Sequence, residues 1–224
     1  MPSGFAPQNL IFDLDGTLVD SLPGIASSIQ YAVRNHAPGV SLAELRNLVG
    51  PPVRQILRKL LAPVSDAQLD DLEGEFRIAY DSWGWKETEA FPSVLATLQS
   101  LHGQGLKLFL FTNKPEFAAT KICEALGLRQ LFEAMLSKDS RQPEFASKTE
   151  MLRALVDEYA LSKDACLVIG DGQDDYLAAV QLQIAFVHAS YGYGRLTTVD
   201  SVSSARSIDR FSALPEFCGR QNFA

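Results

Sequence analysis

Asn9-Leu10-Ile11-Phe12-Asp13-Leu14-Asp15-Gly16-Thr17 is the stretch from which the rest of the chain can be read. Its apolar first half, stopped by Gly16, has the length and composition of a buried strand. On a strand, residues two apart point to the same side, so Asp13 and Asp15 aim at one small volume where the strand ends. Two carboxylates held there repel unless a proton or a cation intervenes. A hard divalent ion that prefers oxygen ligands, Mg²⁺, relieves the repulsion. An Asp-x-Asp-Gly string is equally at home in an ordinary polar turn, so taken alone the motif leaves both readings open.

Three further runs repeat the strand pattern: LKLFLF at 106–111, ACLVIG at 165–170 and IAFV at 184–187. Helical patterns lie between them. Pro92 is expected to open one at its first position, with Val94, Leu95, Leu98 and Leu101 on one face. A second is expected from Pro115 to near Gly127, and a third carries Leu152, Leu155, Val156 and Tyr159. Apolar strands alternating with helices predict an α/β fold, a parallel sheet covered on both faces.

The stretch from 18 to 90 departs from that alternation, with helix starts and no convincing strand. Ser41 with Glu44 and Ser65 with Gln68 have capping-box spacing, and Pro23 and Pro52 suit first-turn positions. The aromatic segment YDSWGWKETEAF at 80–91 leads back to the sheet. The expected organisation is a discontinuous core of residues 1–17 and 91–224, interrupted by a helical insertion at 18–90.

Bulk composition bounds the partners. The 224 residues carry a formal net charge of −7, which argues against a general nucleic-acid binder. Hydrophobic residues at 46% and charged residues at 21% are those of a globular domain. No basic residue precedes Arg34 and no apolar run approaches a bilayer's span, so the expectation is a cytoplasmic protein with no membrane partner. Cys123, Cys166 and Cys218 are odd in number and far apart, suiting neither a disulfide framework nor a metal site, and Cys166 is expected in the core.

The other strand ends add weight to the acidic reading. LKLFLF runs into Thr112-Asn113-Lys114-Pro115, setting a hydroxyl, an amide and an ammonium before a helix N-terminus, an arrangement suited to an anion. ACLVIG runs into Gly170-Asp171-Gly172-Gln173-Asp174-Asp175. Asp171, at the strand end, is the better candidate metal ligand; Asp174 and Asp175 also read as favourable charges in a helix's first turn. Ser147 and Glu150 have capping-box spacing, which places Lys148 in a first turn, where a cation opposes the helix dipole by roughly 0.3 to 1 kcal/mol. A bound phosphate and a carboxylate cluster would reverse that sign; an exposed, tolerated lysine is the alternative.

Taken in order, DLDGT, the Thr112-Asn113 pair, a lysine opening a later helix and GDGQDD resemble the haloacid dehalogenase (HAD) superfamily of phosphohydrolases across nearly the whole chain. The helical insertion is similar to the cap of the phosphoglycolate phosphatase and β-phosphoglucomutase branch, and Gly50-Pro51-Pro52 and Tyr191-Gly192-Tyr193-Gly194 are similar to the phosphoglycolate phosphatase-like group. The resemblance implies a Rossmann-like parallel-sheet core with an inserted α-helical cap. It implies Asp13 as a nucleophile forming an aspartyl-phosphate, Asp15 as general acid and base, and Thr112, Asn113 and Lys148 as phosphate ligands. It also implies Mg²⁺ held by Asp13, the Asp15 carbonyl and Asp171, with Asp175 ordering the shell and Lys148 paired with Asp13 or Asp175. Many relatives carry the lysine as Gly-Lys-Pro, whereas here it lies in Ser147-Lys148-Thr149, so Lys138 stands as a substitute for it and Asp174 as one for Asp175.

The insertion offers Arg46 and Arg54 around the Gly50-Pro51-Pro52 turn as substrate cations, though each taken singly reads first as a solvated helix charge, and Lys114 is a further candidate for substrate or surface. Trp83 and Trp85 suit packing, and His36, His102 and His188 have no spacing that suggests chemistry. The implied partner is a small phosphorylated metabolite, phosphoglycolate or a nucleoside 5′-phosphate. A β-phosphoglucomutase-like mutase and a non-catalytic phosphometabolite-binding protein are the alternatives. A phosphonate hydrolase would need a Schiff-base lysine in the insertion, and nothing marks Lys59 or Lys86 for that.

Overall fold

The computed structural model describes residues 5–46, 48, 52–197 and 206–219. In chain order these form β1 (Asn9–Phe12), β2 (Val19–Asp20), α1 (Leu22–Ala32), α2 (Leu42–Arg46), α3 (Val53–Leu61), α4 (Asp66–Ser82), β3 (Glu89–Ala90), α5 (Val94–Gly103), β4 (Lys107–Thr112) and α6 (Glu116–Ala125). There follow β5 (Ala134–Ser137), α7 (Lys148–Glu158), β6 (Cys166–Gly170), α8 (Gln173–Leu182), β7 (Ala185–Ala189) and β8 (Arg206–Ile208). The chain divides into two compact units, 1–19 with 90–224, and 20–89.

The first unit is built on a six-stranded sheet in the order β5-β4-β1-β6-β7-β8, and every pairing is parallel. After β1 the chain adds β4 and β5 on one side, then returns to add β6, β7 and β8 on the other. The topological switch point therefore falls at β1, where open parallel sheets bind ligands beyond their carboxyl ends. β1 and β6 are buried throughout because helices cover both faces, as the near-continuous apolar runs require. Ile11, Phe109, Phe111 and Val168 pack on one face with Met151, Leu152, Leu155 and Val156 of α7 and Ala178, Ala179 and Leu182 of α8. Phe12 points to the other face, its ring edge-on to Phe132 and tilted against Phe211. Each fully buried side chain of this size contributes about 1.5 to 3 kcal/mol, so the sheet centre is a firmly held platform for a site.

The second unit is helical. Ser65 and Ser41 cap α4 and α2 in reciprocal boxes with Gln68 and Glu44. At Gly24 of α1 a side chain would lie 2.0 Å from the Gly84 carbonyl oxygen, so the absence of a Cβ lets α1 approach the turn after α4. Among the described residues no helix is long and apolar enough to cross a membrane.

Several local expectations differ from what forms. Pro92 does not begin a helix: α5 starts at Val94, and Ser93 before it adopts a left-handed conformation with φ 68°. Pro52 and Pro115 sit one residue earlier than expected, at the N-caps of α3 and α6, where an extended ψ suits a ring that fixes φ and lacks an N–H. Only half of the Ser147 box forms, because the Glu150 carboxylate turns to the Ala146 N–H and Arg141. β5, β8 and the two-residue β2 and β3 are strands that no apolar run of four or more residues marks. Gly50 and Pro51 lie outside the described residues.

Candidate active site

The strand register assembles the site. Phe12 is level with Leu110 of β4 and Ile169 of β6, and the Asp13 N–H donates to the Ile169 carbonyl at 2.9 Å. Asp13, Thr112 and Asp171 thus emerge together where three central strands end. Lys148 arrives from the first turn of α7 and Asp175 from the first turn of α8.

Lys148 is 6% exposed, and its Nζ lies 2.6 Å from Asp13 Oδ1 and 2.5 Å from Asp175 Oδ1. Carboxylate oxygens of Asp13, Asp171 and Asp175 all lie within 4.8 Å of one another. Asp175 turns its second oxygen to the Gly172 N–H at 3.0 Å, and Asp171 accepts from the Gly194 N–H at 2.7 Å. One ammonium, paired with two of three clustered buried carboxylates, leaves the cluster short of positive charge. Burial first, then Asp175 and Asp15, pushes Asp13 up to about 7 against the pull of Lys148. Burial and the Asp13 charge push Asp171 likewise up to about 7, and burial raises Asp175. Burial disfavours the charged form of Lys148, but Asp13 and Asp175 overcome it and hold the ammonium protonated.

This cluster tests whether a divalent cation fits. Three oxygen donors converge, two negative charges stay uncompensated by Lys148, and the donor set is the hard, all-oxygen kind that Mg²⁺ takes. The residues fit such an ion.

A second pair forms beside the first. The Lys114 side chain is 5% exposed, and its Nζ meets both carboxylate oxygens of Asp15, at 3.0 and 3.1 Å. The Lys114 N–H donates to Thr112 Oγ1 at 3.2 Å, which leaves the buried Thr112 hydroxyl its own proton to donate.

Other residues singled out in the sequence lie elsewhere. Asn113 is exposed, its amide 3.5 Å from Asp174 Oδ2. Asp174 is exposed while Asp175 is buried in the cluster, so the inner position is Asp175. Lys138 is half-exposed and 3.9 Å from Glu144, outside the cluster. Part of the expected anion site is taken, since Asp139 Oδ1 accepts from the Glu116 N–H that opens α6, at 2.7 Å. Arg54, in the helical unit, pairs with Asp70 at 2.5 Å and Glu73 at 2.6 Å, so its charge is engaged by α4. Arg46 belongs to α2, and its side chain lies outside what is described. The three thiols are buried, and burial pushes Cys123 up to about 12.

Tyr191, Gly192 and Gly194 form a positioning element whose role no residue-type argument revealed. The Tyr191 hydroxyl donates to the Thr17 carbonyl at 2.6 Å. A Cβ at Gly192 would lie 2.2 Å from the Gly16 carbonyl oxygen, and one at Gly16, whose φ is +80°, would lie 1.9 Å from Asp171 Oδ2. Glycine at these positions is what lets the 191–194 segment and the Asp13–Asp15 turn close on Asp171. His188, with no chemistry expected, places Nε2 3.2 Å from the Asp171 carbonyl oxygen.

Residues 10–189 match the haloacid dehalogenase-like hydrolases, and the chain belongs to that family. A phosphoglycolate phosphatase of Psychrobacter arcticus is 31% identical over 223 residues, covering 94% of this chain and 95% of that protein. A 5′-nucleotidase of Pseudomonas aeruginosa is 30% identical over 187 residues, covering 83% and 84%. The solved structure of Mycobacterium tuberculosis protein tyrosine kinase A has a TM-score of 0.82 at 28% identity, covering 96% of this chain and 100% of that one.

Proposed function

We propose that this protein is a Mg²⁺-dependent phosphatase that hydrolyses a small-molecule phosphomonoester through an aspartyl-phosphate on Asp13. The observation that carries the reading is the Lys148 ammonium shared by Asp13 and Asp175, with the Asp171 carboxylate alongside, at the switch point of a parallel sheet. The related phosphoglycolate phosphatase and 5′-nucleotidase support it, and phosphoglycolate and nucleoside 5′-phosphates are the substrate classes to test first.

Asp13, Asp171 and the Asp15 main-chain carbonyl would hold the cation, with Asp175 fixing the shell. When bound, Mg²⁺ supplies charge that neutralises phosphoryl oxygens and keeps Asp13 ionised. Asp13 attacks phosphorus as the ester P–O bond breaks, and the departing oxygen takes its proton from Asp15. Water then attacks the acyl phosphate and gives a proton to Asp15, releasing inorganic phosphate and the free Asp13 carboxylate. Lys148 and the Thr112 hydroxyl bear on the equatorial oxygens, where charge spreads in the transition state.

The test is phosphate release from a panel of phosphomonoesters with Mg²⁺, wild type against Asp13→Asn. The variant is expected to lose essentially all turnover, because its amide is not a nucleophile. Equal release by both proteins rules out the assigned nucleophile.

A further inference from the structure

We propose that Lys114 is the positioning residue for Asp15, acting on its proton transfer and not on the phosphoryl group. This rests on the phosphatase reading above. The buried cations divide the acidic residues between them: Lys148 pairs with Asp13 and Asp175, while Lys114 contacts Asp15 through both oxygens. Asp15 follows the end of β1 and Lys114 follows the end of the adjacent β4, so rigid neighbouring strands set the spacing of the pair. Lys114 is 7% exposed, and the Asp15 side chain is 24% exposed. The acid/base group thus keeps an open side toward solvent while its back is clamped.

A two-oxygen contact fixes the carboxyl's rotation and lets Asp15 present one edge to a leaving oxygen. It also matters during the chemistry. As the ester P–O bond breaks, the proton passes from Asp15 to the departing oxygen, and a negative charge appears on Asp15. An ammonium 3.0 Å away stabilises that charge as it forms. In the second half-reaction the same contact holds the carboxylate that accepts the proton of the attacking water. Catalytic groups are commonly oriented by a third residue, and here that residue is a buried lysine.

The contribution depends on the leaving group. An alkoxide needs its proton during bond cleavage, whereas a nitrophenolate departs without one. kcat/KM reports the steps through ester cleavage and separates the two. The experiment measures kcat/KM with Mg²⁺ for an alkyl phosphate and for p-nitrophenyl phosphate in wild type, Lys114→Met, Lys114→Arg, Asp15→Asn and the Lys114→Met/Asp15→Asn double variant. Proton transfer by a positioned group contributes roughly 10²- to 10⁴-fold, so misplacing Asp15 is expected to cost at least about tenfold on the alkyl ester and under about threefold on the aryl ester. Lys114→Arg should recover part of the alkyl rate. In the Asp15→Asn background, Lys114→Met should cause no further loss, because the pair acts as a unit. Equal losses on both esters, or a full additional loss in the Asp15→Asn background, overturn the proposal and assign Lys114 to the phosphate or the fold. Melting temperatures of all variants distinguish those two outcomes. A wild type that cleaves neither ester removes the phosphatase reading and this one with it; an active wild type lacking the pattern removes this one alone.

Discussion

Removing divalent metal should make the protein less stable as pH rises from 5 to 7.5, the reverse of ordinary acid denaturation. The perturbed groups are Asp13 and Asp171, each pushed from 3.8 up to about 7, first by burial. A carboxyl that holds its proton more tightly folded than unfolded stabilises the fold fully below its unfolded pKa and loses that contribution as pH rises through the folded value. Here the window runs from about 4 to about 7. The Asp13 charge is part of what raises Asp171, so one such shift sets the scale; the two pKa units between pH 5 and about 7 carry roughly 2.7 kcal/mol at 1.36 kcal/mol per unit. For a chain of this size that corresponds to a fall in Tm of roughly 5 to 10 °C. His188 works in the opposite sense: burial lowers its pKa, so its contribution grows as pH rises, and the observed fall is correspondingly smaller. The assay is thermal melting of chelator-treated protein at fixed ionic strength across that range, with and without Mg²⁺. Added Mg²⁺ should restore Tm at pH 7.5 and do little at pH 5, where protons occupy the carboxylates. Asp171→Asn should flatten the metal-free profile. A metal-free Tm that holds or rises from pH 5 to 7.5, or equal stabilisation by Mg²⁺ at both pH values, refutes the account of the cluster.

Gly16→Ala should abolish both activity and the Mg²⁺-dependent rise in Tm, since its Cβ would sit 1.9 Å from Asp171 Oδ2 on a backbone with φ +80°. Tyr191→Phe removes the donor to the Thr17 carbonyl and should cost about 1 to 3 kcal/mol in urea unfolding. Gly24→Ala forces α1 away from the Gly84 carbonyl and should destabilise by about 1 to 3 kcal/mol, read as a lower denaturation midpoint. A thiol reagent at neutral pH should leave Cys123 untouched in folded protein and label it promptly in denaturant, because its thiol is buried and pushed up to about 12.

The strands that carry the chemistry were legible because a parallel sheet covered on both faces needs unbroken apolar runs, and β1, β4, β6 and β7 have them. β5 and β8 were not, since Ala134–Ser137 has only three consecutive apolar residues and Arg206–Ile208 only one, too few to mark a strand by themselves. The same division runs through the site. Asp13, Asp171 and Lys148 could be proposed from their places at strand ends and a helix start. The choice of Asp175 over Asp174 was decided by which of two adjacent residues on α8 faces inward.

Residue types and their order determined by themselves that an acidic centre would form at the carboxyl edge of an α/β sheet, because secondary-structure period dictates which side chains share a strand end. Only the tertiary structure decided how charge is apportioned there. Local rules say nothing about which carboxylate Lys114 or Lys148 meets, yet one meets Asp15 and the other Asp13 and Asp175. Arg54 offered the same charge and went to Asp70 and Glu73. Electrostatic pairing depends on distances of a few ångströms between residues up to a hundred or more positions apart, and strand register and helix packing set those distances.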